Sequence, residues 1–266
     1  MDSLTPLASK ELAVVTGGAG GIGWQTMKDL SALNVRVVIL DVQEPKEPLP
    51  RGAFFYKTDI TSTETLKITA DKIRQEHGDP TILVNNAGVG GGGSIIDKPE
   101  EFIRRTFEVN LIAHYWTVKE FLPAMIRNNH GHVVSIASVA SFISFARSSD
   151  YSCSKVGILA FHEALAQEIR HQYGAKRIRT SIIHPLWTRT PMVEALEKQG
   201  VKFEKNILKP GDVSRAVVKQ IVSGSSGQVF LPSSQQHLAR LRAYPIWFQE
   251  LIRNKPSKMS QKTPRA

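Results

Sequence analysis

The sequence predicts an α/β protein built on a doubly wound parallel sheet. Short runs rich in β-branched residues alternate along the chain with longer segments of helical period, and such alternation closes as right-handed crossovers on a parallel sheet. A glycine-rich stretch joins the first strand to the first helix. The size and composition agree: 266 residues, 41% hydrophobic and 22% charged, suit a globular protein with one sizeable core.

Leu12–Thr16, Val35–Leu40, Ala53–Tyr56, Ile82–Val84, His132–Ile136 and Ile178–Ile183 read as buried strands. Between them Ile22–Leu33, Thr63–Glu76, Phe102–Ile126 and Tyr151–Tyr173 have helical spacing and length. The third of these contains a break or long curve, with Pro123 shaping its end. Pro210–Ser223 reads as a further helix and Val229–Leu231 as a last short strand. No repeat or linker divides the chain, which predicts one catalytic domain over 1–232 and a C-terminal extension over 233–266.

Cys153 is the single cysteine, so no internal disulfide forms and a reducing, cytoplasmic setting is expected. No Cys/His cluster suggests a metal, no long apolar run in Met1–Lys10 suggests a signal peptide, and no stretch suggests a membrane span. The formal net charge is +10, but residues 237–266 hold seven Lys/Arg against Glu250 alone, which is +6 of that total. The remaining +4 gives a nucleic-acid role little support. Within residues 238–258, Leu238, Leu241, Tyr244, Ile246, Trp247, Phe248, Leu251 and Ile252 interleave with arginines, and Pro245 interrupts any single helix. That pattern suits peripheral contact with an anionic membrane or lipid-droplet surface. The alternative is packing on the body or on a partner subunit, with the last ten residues disordered.

The first strand runs into Thr16-Gly17-Gly18-Ala19-Gly20-Gly21-Ile22-Gly23. Glycines allow a tight turn and close approach of the backbone to a pyrophosphate, and the next helix presents its free N–H groups to the phosphates. The stretch fits G-x-G-x-x-G through Gly18, Gly20 and Gly23, and G-x-x-x-G-x-G through Gly17, Gly21 and Gly23. Both spacings point to a Rossmann-type sheet. Asp41 ends the second strand, where a carboxylate accepts the adenosine ribose hydroxyls and repels a 2′-phosphate. NAD(H) is therefore favoured over NADP(H). Asp59 follows the third strand and suits either the adenine edge or a helix cap.

Tyr151 and Lys155 lie four residues apart, on one face of a helix. A nearby ammonium favours phenolate, which would let Tyr151 act as a general base at neutral pH. Asn85-Asn86-Ala87-Gly88 follows the fourth strand, Asn110 lies in a helix, and Ser138 stands 13 residues before Tyr151. With these motifs in order, the chain resembles the short-chain dehydrogenase/reductase family from Glu11 to about Leu231.

The resemblance implies catalytic roles for Asn110, Ser138, Tyr151 and Lys155: Ser138 orients the substrate oxygen, Lys155 also binds the nicotinamide ribose, and Asn110 holds a relay water. It implies cofactor contacts at Gly17, Gly21, Ile22, Gly23, Asp41, Asp59, Asn86, Tyr151 and Lys155. Pro185, Thr188 and Thr190 match the family's carboxamide-binding loop, although Leu186 replaces the usual glycine there. His184 reads as a hydrogen-bonded structural histidine. The segments Phe107–Lys119 and Asn129–Val134 are similar to the branch holding retinol and 17-beta-hydroxysteroid dehydrogenases of lipid droplets and endoplasmic reticulum. That branch implies a small lipophilic alcohol, ketone or aldehyde, with Phe142, Ile143, Phe145, Leu186, Trp187 and Met192 on the substrate side. Its N-terminal hydrophobic anchor is not read in this sequence. The family further implies a homodimer or homotetramer. The alternative is a catalytically silent nucleotide-binding scaffold or sensor. The intact four-residue catalytic set argues against it.

Overall fold

The computed structural model describes residues 11–198, 200, 201, 203 and 207–259. Seven parallel strands form one sheet in the order β3-β2-β1-β4-β5-β6-β7. They are β1 (Leu12–Thr16), β2 (Arg36–Asp41), β3 (Ala53–Lys57), β4 (Ile82–Asn85), β5 (Gly131–Ile136), β6 (Ile178–Pro185) and β7 (Gly227–Leu231). Strand order reverses between β1 and β4, and the crevice beyond their carboxyl ends is where this architecture binds ligands.

Side-chain alternation divides the core. Leu12 and Val14 of β1, with Val38 and Leu40 of β2, face one layer, where α2 (Thr63–His77), α4 (Ala113–Asn128) and α5 (Ser149–Gln167) contribute Leu66, Phe121 and Phe161. Ala13, Val15, Val37 and Ile39 face the other, where α1 (Gly21–Ala32) and α7 (Pro210–Ser223) contribute Met27, Leu30 and Val217. Each such side chain, fully buried, is worth about 2 kcal/mol relative to exposure. The apolar runs are continuous because both faces of the sheet are covered.

The long helix expected over Phe102–Ile126 is α3 (Glu100–Phe107), a π-helical turn at Glu108–Ile112 and then α4. The break thus falls at Asn110. Pro123 lies within α4, which continues to Asn128 and ends on the left-handed Asn129. A similar π turn, Glu168–Gln172, follows α5. The sequence pattern gave no separate place to α6 (Pro191–Lys198).

Beyond β7 the chain forms 3-10 turns over Ser233–Ala243 and then α8 (Ile246–Met259), so Pro245 separates two helical pieces. Leu238 and Leu241, with Phe248 and Ile252, pack on Val139, Phe142, Ile143 and Phe230 of the body. Tyr244, Ile246, Trp247 and Leu251 remain exposed. Of the expected disordered end, 257–259 are helical and 260–266 lie outside the described residues.

Candidate active site

Thr16 closes β1, and the chain then turns through Gly17 at φ 63° and Gly21 at φ 54°, a left-handed region costly for any residue with a Cβ. Gly23 serves a different need: a Cβ there would stand 2.2 Å from the Gly17 carbonyl oxygen, so α1 packs directly beneath the loop. A Cβ on Gly20 would meet nothing within 4 Å, so the outer edge of the loop is open. No side chain caps α1, which leaves its first N–H groups available to a phosphate.

Asp41 sits beside this loop. Its Oδ2 accepts from the Ala19 N–H at 3.0 Å and its Oδ1 from that of Gln43 at 3.0 Å. Both oxygens keep lone pairs for a ribose. Asp59 accepts from the backbone and hydroxyl of Thr61 at 3.0 and 2.7 Å, while Ser62 is the residue that caps α2. Asn86 donates through Nδ2 to the carbonyls of Thr16 and Gly17 at 2.9 and 3.1 Å, tying β4 to the glycine turn. The open loop, the unpaired helix terminus and the Asp41 carboxylate together fit a dinucleotide.

A cleft of about 990 Å³ runs from Asp41 and Asp59, past Gly17, Gly21, Ile22 and Asn86, to Ser138, Tyr151 and Lys155. Pro185, Thr188 and Thr190 line it too. Gly23 and Asn110 do not reach it; each stands behind it. Asn110 is wholly buried in the π turn, where its Oδ1 accepts from the Val89 N–H at 2.8 Å and its Nδ2 donates to the Val89 carbonyl at 2.9 Å and to Ser154 Oγ at 3.0 Å. Ser154 in turn donates to the Tyr151 carbonyl at 2.8 Å, so Asn110 braces the turn that carries Tyr151.

The electrostatics differ from the expectation of a phenol lowered by Lys155. In the free protein, burial pushes the Tyr151 phenol up, and a hydrogen bond with Ser138 pulls the other way. Burial pushes Lys155 down to about 8. Its ammonium lies 5.6 Å from the Tyr151 ring centre and donates to the Ile136 carbonyl at 2.9 Å. Desolvation thus sets the direction for both buried groups. His184 is pushed by burial to about 4 and is neutral. Its Nδ1 lies 3.0 Å from the Ser138 carbonyl, which only accepts, so Nδ1 bears the proton and Nε2 accepts from Gln228 at 3.0 Å. His184 is a structural support beneath Ser138.

On the substrate side, Ile143, Phe145, Leu186, Trp187 and Met192 line the cleft. Phe142 does not; its ring packs on His184 and Phe230 at 4.9 and 5.4 Å. Leu186 causes no backbone strain, since its φ is not positive and its N–H donates to the Leu231 carbonyl at 2.7 Å. Among the described residues no His/Cys/Asp/Glu group is placed to hold a metal, and no helix is long and apolar enough to cross a membrane.

A family model for short chain dehydrogenases matches residues 11–200. The chain belongs to the short-chain dehydrogenase family. The family is one of oxidoreductases and implies a nicotinamide cofactor. It is similar to dehydrogenase RED3 of Cochliobolus heterostrophus, with 47% identity over 49% of this chain and 66% of the relative. Estradiol 17-beta-dehydrogenase 11 of Macaca fascicularis is 32% identical over 92% of this chain and 83% of its own. Retinol dehydrogenase 10 of Rattus norvegicus is 36% identical over 68% of this chain and 53% of its own. The chain thus spans about half to two-thirds of the length of the RED3 and retinol relatives. Among solved structures, the ligand-free aldohexose dehydrogenase of Thermoplasma acidophilum shares the fold, with a TM-score of 0.72, 24% identity and coverage of 83% and 92% of the two chains.

Several parts of this short-chain dehydrogenase site carry no motif in the sequence. Thr16 Oγ1 accepts from the N–H groups of Asn86 and Ala87, each at 3.0 Å, and so sets the β1–β4 junction. A hydroxyl ending an otherwise apolar strand is the one signal that pointed to it. Gln235, His237, Leu238 and Ile252 reach the cleft from the C-terminal segment. Their distance in sequence from the motifs concealed them.

Proposed function

We propose that the chain is an NAD(H)-dependent oxidoreductase that moves a hydride between nicotinamide and a lipophilic alcohol, ketone or aldehyde, with Tyr151 as general acid–base. One observation carries the reading: a single cleft holds the open glycine loop beside Asp41 at one end and Ser138, Tyr151 and Lys155 among apolar walls at the other. Bound nicotinamide would supply the hydride donor or acceptor. The chain does the rest. The Ser138 hydroxyl orients the substrate oxygen beside the Tyr151 phenol. Tyr151 donates its proton to a carbonyl being reduced, or takes one from an alcohol being oxidised. Burial keeps its phenol protonated in the free protein, so abstraction depends on added positive charge, which Lys155 supplies when protonated. Lys155 also offers donors to the ribose, and Asn110 holds the Tyr151 turn and a relay water.

Absorbance of reduced nicotinamide would test this with NAD or NADP and a panel of retinoid, steroid, long-chain and aromatic alcohols. Turnover is expected with NAD and is expected to vanish in Tyr151→Phe while NADH still binds. A Tyr151→Phe variant as active as wild type would sink the mechanism. Asp41→Ser is expected to shift the NAD/NADP preference toward NADP by about tenfold, roughly 1.4 kcal/mol.

The same reading includes peripheral attachment to an anionic lipid surface. Tyr244, Ile246, Trp247 and Leu251 are exposed beside Arg240 and Arg242, and an amphipathic basic face of this kind binds acidic headgroups. A homodimer or homotetramer follows from the family and would be read by sedimentation.

A further inference from the structure

Two charged side chains outside the catalytic group are almost fully withdrawn from water. Lys98 precedes α3 and Asp150 is the second residue of α5; their side chains are 4% and 2% exposed and form an ion pair. Lys98 Nζ also donates to the Gly91 carbonyl at 3.2 Å, its aliphatic stem packs against Gly93, and its ammonium lies 5.4 Å from the Phe102 ring centre. The second oxygen of Asp150 accepts from Thr106 Oγ1 at 3.2 Å. Isolated, each charge would be costly here. Paired and hydrogen-bonded, they join three segments: the glycine loop 90–93, helix α3 and the first turn of α5.

That junction lies against Tyr151, the neighbour of Asp150 in sequence. A Cβ on Gly90 would stand 2.9 Å from the Tyr151 ring and 3.2 Å from Met192 Sδ, so the loop backbone rests on the ring edge. The loop has few ties of its own: Val89 is held by Asn110, and the Gly93 N–H donates at 3.3 Å to the carbonyl of Arg147. Arg147 itself sits at φ 67°, a left-handed backbone that must be held in place by its surroundings.

We infer that the buried Lys98–Asp150 pair is a latch that clamps the glycine loop 90–93 onto the Tyr151 ring and fixes the turn from which Tyr151 projects. The inference rests on the proposed role of Tyr151 and makes Lys98 and Asp150 positioning residues for it. The pair also keeps the carboxylate next to Tyr151 neutralised. The other charged or titratable groups around Tyr151 are Lys155 on its own helix, Arg105 of α3 on the wall of the same cleft and His184 of β6 beneath Ser138. The Asp150 carboxylate is bonded instead by Lys98 and Thr106.

The test uses the full chain with Lys98→Met, and with Lys98→Met and Asp150→Asn together. The double variant strands no charge, and replacing a buried pair by neutral groups of similar size often leaves folding intact. Amide hydrogen exchange of the free protein is expected to quicken at Val89 and Gly93 by about tenfold in the double variant, with the β1, β4 and β5 amides unchanged. With NAD and the best alcohol of the panel, kcat is expected to fall while the KM for NAD holds. In Lys98→Met the limb of the pH profile set by Tyr151 is expected to move up by about one pH unit, and to return in the double variant. A double variant with wild-type exchange at Val89 and Gly93 would overturn the latch, even if the enzyme is active and Tyr151→Phe is dead. A wild type with no turnover would remove the dehydrogenase reading instead, and exchange would still decide whether the pair clamps the loop. If Lys98→Met alone fails to fold, exchange in the double variant still separates a clamped loop from a free one.

Discussion

Burial lowers the Lys155 ammonium from 10.5 to about 8 in the free protein. The unfolded chain keeps its proton on this lysine up to pH near 10.5, whereas the folded chain releases it above about 8, so stability rises with pH between those values. At neutral pH the charge works against folding. Lys155→Met is therefore expected to stabilise the free protein at pH 7, on the order of 2 kcal/mol once the lost bond to Ile136 is allowed for, while abolishing turnover. Thermal melts at pH 7 and pH 10 would check it, since the gain should shrink at the higher pH; a loss of stability at pH 7 would contradict it. Tyr151 and Lys155 were legible in the sequence because the glycine loop, Asn85–Gly88, Asn110 and Ser138 accompany their four-residue spacing, but the extent of their desolvation was not. That extent depends on what covers them, which no local pattern reports. His184 shows the converse: a strand-end histidine was read as structural, and its tautomer is fixed by the Ser138 carbonyl that it supports.

Among elements, the turn from β1 into α1 depends most tightly on residue type. A methyl on Gly23 would meet the Gly17 carbonyl at 2.2 Å and the Asn86 amide at 2.6 Å, neither of which moves without disturbing β4. Gly23→Ala is expected to destabilise the protein by about 3 kcal/mol and to weaken NADH binding, against a smaller effect from Gly20→Ala, where the space is open. Urea melts and NADH fluorescence titrations of the two variants would show the contrast; equal effects would contradict this picture of the loop. The glycine turn could be read in advance because backbone geometry selects glycine locally. The π turn at Glu108–Ile112 could not. The sequence suggested a break or long curve in this helix and had Pro123 shape its end, yet α4 runs on through Pro123 to Asn128. The distortion instead falls where Asn110 turns its amide onto the Val89 backbone, a tertiary contact that the period of apolar residues does not encode.

For the molecule as a whole, the parallel direction of the strands followed from alternation of apolar runs with helical segments, because a parallel sheet covered on both faces leaves that record. The C-terminal segment left a more ambiguous one. Its apolar residues were read as either lipid-facing or packed on the body or a partner subunit, and they divide: Leu238, Leu241, Phe248 and Ile252 pack inward while Tyr244, Ile246, Trp247 and Leu251 point out. Truncation after Leu231 would uncover part of the core, so the better probe of lipid attachment is the triple substitution Ile246→Ser, Trp247→Ser, Leu251→Ser. This variant is expected to keep the wild-type melting temperature and to lose flotation with anionic liposomes; flotation that persists would show that the exposed face is not what binds.

The inward face has a consequence for how such a protein changes over time. Gln235, His237, Leu238 and Ile252 help enclose the far end of the cleft, yet they follow every residue proposed to handle the cofactor or the proton. Part of the wall proposed to face the substrate, beside Ile143, Phe145, Leu186, Trp187 and Met192, thus comes from a separate stretch of the chain. Variation there can retune which molecule is accepted while the proposed hydride chemistry, laid down between Thr16 and Thr190, is inherited intact.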